Sequence, residues 1–306
     1  MSTTPESPPG PAPGPRIPFL RRMNPVLFSV FALAVIFVLY QIVGGVITLV
    51  VARGEITLSN VTLVRWATLL GQLLFILVPT VWLARERHGS LPAFFRLRIP
   101  EVRHLVATMV AVFALQQMLQ AYMVVQDMIP FPQDLQRIFD SLKKLLEETE
   151  RVLVQANGPG EFLFVLLVVA LVPAVSEELL FRGLVQRNLE AASGWKGPVI
   201  AGIIFGLYHF NPFTLVPLVA LGVYFGFIVY RAGNITLSIS AHFFNNFIAC
   251  AATYLRLDDN FVALAPGAAP TLKLAASNFA IFAVVFVAAT LYFIHSTGHN
   301  ESGESD

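Results

Sequence analysis

The sequence predicts an all-α fold, a polytopic transmembrane helical bundle of about eight spans with a polar cavity inside the membrane. Three observations carry that prediction. The chain of 306 residues is 56% hydrophobic and only 13% charged, against about 25% charged in soluble domains. Apolar runs close to the roughly 20 residues needed to cross a bilayer recur along its length. Ionisable residues, above all the adjacent Glu177 and Glu178, interrupt those runs in the second half of the chain. A net charge of +1 gives no basic surface and no nucleic-acid reading. The single cysteine, Cys250, excludes an intrachain disulfide framework and a cysteine zinc site. It reads as a small core or lipid-facing residue.

Residues 1–25 are polar and proline-rich, lack the apolar core of a signal peptide, and read as a disordered cytoplasmic tail ending in Arg16, Arg21 and Arg22. A single transmembrane domain then covers residues 26–295, and 296–306 form a short polar tail. The expected spans are Val26–Val51, Val61–Ala84, Leu105–Val125, a long helix from Glu161 to about Glu190, Leu237–Leu255 and Leu274–Ile294. The apolar stretch Pro198–Tyr230 is broken at Asn211-Pro212. It reads as two short helices, which gives eight spans; one kinked helix, giving seven, is the alternative. Within 126–160, Leu135, Ile138, Phe139, Leu142, Leu145 and Leu146 recur at helical spacing among charges. That pattern predicts an amphipathic external helix lying on the membrane or capping the bundle. Arg85, Arg87, Arg96, Arg98 and Arg103, with Arg187, Lys196 and Arg231, fall on one side together with the N-terminal arginines. The excess of positive charge puts that side, and both termini, in the cytoplasm.

Three sets of polar residues lie inside the spans, each with the i,i+4 spacing that shares one helix face. They are Glu178 with Arg182, Phe205 with His209, and His242 with Asn246, Asn245 being close by. Charge at membrane depth is costly, so these groups read as functional. A carboxylate beside an imidazole can take a proton from water. Two histidines and a carboxylate can hold zinc with one position open. An amide beside an imidazole can donate to an oxyanion. Glu178, facing Arg182, reads as the permanent anion. Glu177 points about 100° away and is freer to act as base.

Bland readings stand beside these. Glu178–Arg182 taken alone is a structural ion pair, Asn246 is interhelical glue, and Phe205 is core packing. Gln41, Gln72, Gln116 and Gln117 read as hydrogen-bonding between helices. Other protease classes find little support. There is no His-Glu-x-x-His, Ser193-Gly194 reads as a turn, and Asp258-Asp259 lies at a span end.

Glu177-Glu-Leu-Leu-Phe-Arg182 resembles the EExxxR motif of the CPBP intramembrane protease family, which includes the type II CAAX prenyl endopeptidases. Phe205-Gly-Leu-Tyr-His209 is similar to its FxxxH motif, and His242-Phe-Phe-Asn-Asn246 to its HxxxN motif. The motif-bearing core is 161–255. The resemblance implies an eight-helix fold and endopeptidase activity on a prenylated or otherwise hydrophobic peptide presented among membrane lipids. It implies that Glu177 and His209 activate water, that His242 and Asn246 stabilise the oxyanion, and that Arg182 orients a glutamate. Glu178 is part of the same motif. Water activated by side chains is the favoured reading; zinc held by Glu177, His209 and His242 is the alternative. The proline-rich tail and compact chain read as bacterial, which suits an inner membrane and leaves an unmodified peptide or protein as a substrate beside a prenylated one. Two non-protease readings are a scaffold or immunity-type protein that keeps the polar cluster for structure, and a small-solute or proton transporter.

Overall fold

The computed structural model describes residues 18–88, 90–257 and 271–298. The proline-rich tail up to residue 17, Asp258-Asp259 and residues 299–306 lie outside them. Among the described residues the regular structure is all helical, in nine main elements. These are α1 (Pro25–Ala52), α2 (Val61–His88), α3 (Val102–Asp127), α4 (Gln133–Val154), α5 (Pro159–Ser193), α6 (Lys196–Leu207), α7 (Leu215–Ala232), α8 (Ile235–Tyr254) and α9 (Leu272–Gly298). Seven of them are long and apolar enough to cross a membrane; α4 and α6 are not among these. The chain is an integral membrane protein. At about 1.5 Å per residue, α6 reaches only about 18 Å, short of the roughly 30 Å hydrocarbon core. The eighth expected span is therefore a half-length helix that pairs with α7 as a hairpin, and the break falls at residues 208–214, around Asn211-Pro212 as the sequence indicates.

Local chemistry sets the ends of these helices. Asn24 accepts a hydrogen bond from the Val26 amide at 2.9 Å and Pro25 opens α1. Asn234 caps α8 in the same way, accepting from the Thr236 amide at 2.9 Å. Gly194 ends α5 with φ 58°, a region that glycine enters without steric cost. The Ser193-Gly194 turn is borne out, and Cys250 is buried in α8.

Four segments widen into π-helical turns: Val38–Gly44 in α1, Gln72–Leu77 in α2, and Leu166–Leu171 and Leu179–Gln186 in α5. The two in α5 flank Glu177 and Glu178. Proline explains part of this. Pro173 has no N–H to give the carbonyl four residues back, and Val169 loses its helical partner. In a membrane such a carbonyl must find another donor. It finds Asn246, whose Nδ2 donates to Val169 O at 3.0 Å.

The α6–α7 hairpin packs backbone to backbone. A Cβ on Gly202 would run into the Val223 backbone, and one on Gly222 would meet the Gly202 carbonyl. Small residues at a membrane helix contact allow this closeness. They also turn the carbonyls of Gly222 and Gly226, one turn apart, towards α5. Arg182 Nη2 and Gln186 Nε2 donate to them, each at 3.0 Å.

Helices α3 and α9 run antiparallel beside this core. His104 meets Phe293 with ring centroids 5.9 Å apart, and Phe113 meets Phe282 at 6.0 Å. Gln117 is buried here without a hydrogen-bond partner among the described residues, and so is Gln116 Oε1. For Gln117 the expected interhelical bonding is therefore corrected. Gln41 does bond between helices, donating to Tyr208 O at 2.9 Å.

The amphipathic helix forms as expected. Leu135, Ile138, Leu142 and Leu145 on α4 remain exposed, which suits a helix lying at an interface. Its C-terminus is pinned by Arg65 of α2, which is only 1% exposed. Arg65 donates to Leu153 O at 2.9 Å and Val152 O at 3.3 Å, also reaches Gln155 O, and pairs with Glu161 at 2.6 Å. One guanidinium thus satisfies the orphan carbonyls of a helix end.

Two glycines separate by test. Gly202→Leu forces α6 from α7 and should cost about 1–3 kcal/mol. Gly45→Ala, where a new Cβ meets nothing within 4 Å, should leave stability unchanged or raise it by up to about 1 kcal/mol. Thermal unfolding of the two purified variants in one detergent checks this; equal melting temperatures would refute the packing argument.

Candidate active site

Adjacent glutamates on one helix point in different directions, and α5 puts them into different surroundings. Glu178 is fully buried. Its Oε1 accepts from Arg182 Nη1 at 2.7 Å and from His242 Nδ1 of α8 at 3.0 Å. Arg182, also buried, donates through Nη2 to Gly222 O; its Nε and Glu178 Oε2 have no hydrogen-bond partner among the described residues. Its guanidinium lies against the rings of Phe205 at 4.4 Å and Phe225 at 5.4 Å, contacts that suit a delocalised cation. One buried ion pair therefore touches α5, α6, α7 and α8. The expected pairing of Glu178 with Arg182 is what the geometry gives.

Glu177 sits in a wetter place, with its side chain 13% exposed against 0% for Glu178. Its Oε2 lies 3.8 Å from Nε2 of His209, which is 32% exposed. The other oxygen, Oε1, accepts from Gln72 Nε2 of α2 at 3.2 Å. The same Gln72 nitrogen lies 3.1 Å from the Tyr40 hydroxyl of α1, and Ser176 Oγ lies 2.6 Å from Gln72 Oε1. The serine holds the amide carbonyl, which leaves the amide nitrogen turned to Glu177.

His209 lies just beyond α6, in the turn rather than on the helix. Its Nδ1 is 2.8 Å from Phe205 O. A carbonyl only accepts, so Nδ1 carries a proton, and in the neutral form of the ring Nε2 presents a lone pair. The Phe205 ring packs on His209 at 4.6 Å and on His242 at 5.8 Å, so this phenylalanine is core packing and a spacer between the two imidazoles. The next residue, Phe210, has φ 52°, an uncommon conformation for a side chain of that bulk. The turn is held from two sides. Gln126 of α3 donates to Phe213 O at 2.9 Å, and Asn211 Nδ2 donates to Glu150 of α4 at 3.4 Å.

Of the residues singled out in the sequence, Glu177 and His209 form one pair and Glu178, Arg182 and His242 a second group. Asn246 is engaged with Val169 O and accepts from Asn245 Nδ2 at 3.2 Å. Among the described residues no three His, Cys, Asp or Glu side chains form a group able to hold a metal ion. His242 bonds Glu178 through Nδ1, the kind of contact that also orients a metal-ligating imidazole through its other nitrogen, while Glu177 faces His209. Three participants escaped sequence reading: Gln72, Tyr40 and Ser176. Gln72 stood out as a polar residue inside a span, but nothing local tied it to Glu177, 105 positions away.

Residues 159–248 match the family model for type II CAAX prenyl endopeptidases of the Rce1-like group. The similarity covers residues 159–248, under a third of the chain. No curated protein and no solved structure matches the chain. The match bears out the resemblance carried by the three motifs, all of which fall inside it. The Rce1-like region spans α5, α6, α7 and most of α8, and it leaves out α1 to α4 and α9. Gln72 and Tyr40 are therefore supplied to an Rce1-like centre from outside the matched segment. At the level of the family, the match supports an intramembrane protease of the CAAX type.

The two glutamates should differ in what their loss does. Arg182→Met strands the buried Glu178 charge and should cost about 3–5 kcal/mol. Adding Glu178→Gln to it should recover part of that loss, since the stranded charge is gone. Glu177→Gln, at a partly hydrated position, should change stability by less than about 1 kcal/mol. Chemical denaturation in detergent measures all three; an Arg182→Met protein as stable as wild type would refute the assignment.

Proposed function

We propose that the chain is an intramembrane endopeptidase that hydrolyses a peptide bond in a hydrophobic or lipidated substrate with water activated by Glu177 and His209. The observation that carries this is the 3.8 Å approach of Glu177 Oε2 to His209 Nε2. Both atoms are acceptors, and they face each other at a separation too long for a direct hydrogen bond. A water molecule donating one proton to each satisfies both. Its oxygen lone pairs are then free to attack a carbonyl carbon, and either base can take the proton released. Glu177 is poised for this by Gln72, which fixes its other oxygen.

The oxyanion formed in the attack needs donors. His242 donates from Nδ1 to Glu178, and Nε2 is a second donor whenever the ring carries both protons. Asn246 has a second amide hydrogen beyond the one given to Val169. Glu178 and Arg182 position His242 and do not touch the substrate. In this reading the water is activated by side chains alone. The reading as a non-catalytic scaffold explains Glu178–Arg182 and Asn246 well. It does not explain why Glu177 Oε2 and His209 Nε2 face each other at 3.8 Å with no direct hydrogen bond between them.

The test is cleavage of a prenylated apolar peptide and its unprenylated twin by the purified protein, with and without a chelator. Glu177→Ala and His209→Ala should each lower kcat by about 10²-fold or more and leave melting temperature nearly unchanged. The chelator should have no effect. Undiminished cleavage by Glu177→Ala would sink the proposal, and loss on chelation that is restored by zinc would replace the mechanism.

A further inference from the structure

A cavity of about 820 Å³ lies between α1, α2 and α4, outside the segment matched to the family. Tyr40 and Gln41 are among the residues that line it. Tyr40 shares Gln72 with Glu177, through contacts of 3.1 and 3.2 Å. Gln41 holds the carbonyl of Tyr208, the residue before His209. The cavity thus ends one side chain away from each of the two groups proposed to activate water. Its walls are mixed. Ile47, Phe75 and Leu146 supply apolar surface, while Glu55, Glu148 and Arg151 supply charge of both signs. Helix α4 covers one side, held there by Arg65 at its C-terminus and by the Glu150–Asn211 contact to the His209 turn.

Resting on the endopeptidase reading, we infer that this cavity binds an unmodified, largely apolar peptide segment of the substrate, flanking the bond to be cut. The volume is within the range of about 300–1,000 Å³ typical of ligand pockets. The polar content of the wall selects the occupant. A bare hydrocarbon chain would strip water from the Tyr40 hydroxyl, the Gln41 amide and the neighbouring charges, and return no hydrogen bond. A peptide brings its own N–H and C=O groups to them. Gly45 sets how much room the segment has. It lines the cavity and a Cβ built there meets nothing within 4 Å, so a side chain at this position can enter the space without displacing the helix. Thr48, one turn further along α1, lines the same wall.

The experiment fills the cavity and reads occupancy apart from turnover. An apolar peptide of about ten residues, with a photoreactive side chain near one end, is cross-linked to the full chain in lipid nanodiscs on a Glu177→Ala background. Labelling should map to α1, α2 or α4. Gly45→Trp and Thr48→Phe should each lower it about tenfold with melting temperature unchanged. In the Glu177-intact protein, the same two substitutions should lower kcat/KM for the long peptide by a similar factor. They should spare a peptide truncated on the cavity side. Labelling elsewhere, unchanged labelling in both filled variants, or labelling by a prenylated peptide alone would overturn the inference. If the cavity is labelled but no Glu177-dependent cleavage is found, the endopeptidase reading fails and the peptide site stands.

Discussion

The buried pair of Glu178 and Arg182 is the constraint on which the rest of this bundle depends. Neither charge reaches water, and an isolated one at that depth would be costly. The pair is tolerable only because every neighbouring helix answers it. α7 gives the Gly222 carbonyl, α8 gives His242, and α6 and α7 give the Phe205 and Phe225 rings. The Gly222 carbonyl is reachable because glycines let α6 and α7 pack without side chains between them. Removing the pair therefore does more than break a 2.7 Å contact. It takes away the reason for four helices to hold one relative position. Buried ion pairs contribute little net stability compared with apolar replacements. What this one contributes is a fixed place for His242.

A second device works by the same logic with a backbone group. Pro173 deprives Val169 of its helical hydrogen bond, and Asn246 supplies the missing donor from α8. The asparagine of the third motif is thus interhelical glue as well as a candidate oxyanion donor. Because α5 is locally widened on both sides of the glutamates, its side chains depart from regular helical phase there. Unsatisfied carbonyls and widened turns are expensive in lipid. Their concentration around Glu177 and Glu178, held by Asn246 and by Gln186 at Gly226, ties the helix shape to the site.

Much of this was legible in the sequence, for identifiable reasons. Helices of membrane length announce themselves by apolar runs. The break at Asn211-Pro212 separates α6 from α7 because proline and asparagine act locally. Glu178 with Arg182, and Phe205 with His209, are i,i+4 pairs whose contact needs no tertiary information. What was not legible depends on which helices become neighbours. Gln72 and Tyr40 come from α2 and α1, and nothing in their surroundings in the chain points to Glu177. His242 could be placed near a glutamate but not assigned to one of the two. Pro173 was visible in the apolar run, yet its consequence at Val169 needed α8 in place. Gln117 shows the reverse error, where a rule about polar residues in membranes foresaw a hydrogen bond that neither atom of its amide makes among the described residues.

The adjacency of the two glutamates is itself a requirement of the arrangement. Residues next to each other on a helix diverge by about 100°, so a consecutive pair cannot share one environment. One must face the dry interior of the bundle if the other faces a hydrated space. Glu178 takes the dry side, where Arg182 and His242 fix it. Glu177 then has its direction set by its neighbour's anchoring, since the two share one stretch of backbone. Its carboxylate meets His209 on a turn that Gln126 and Glu150 hold from other helices. The buried residue thus orients the exposed one through the backbone. A base whose own side chain makes a single modest hydrogen bond, to Gln72, can in this way be held accurately without being neutralised by a cation of its own.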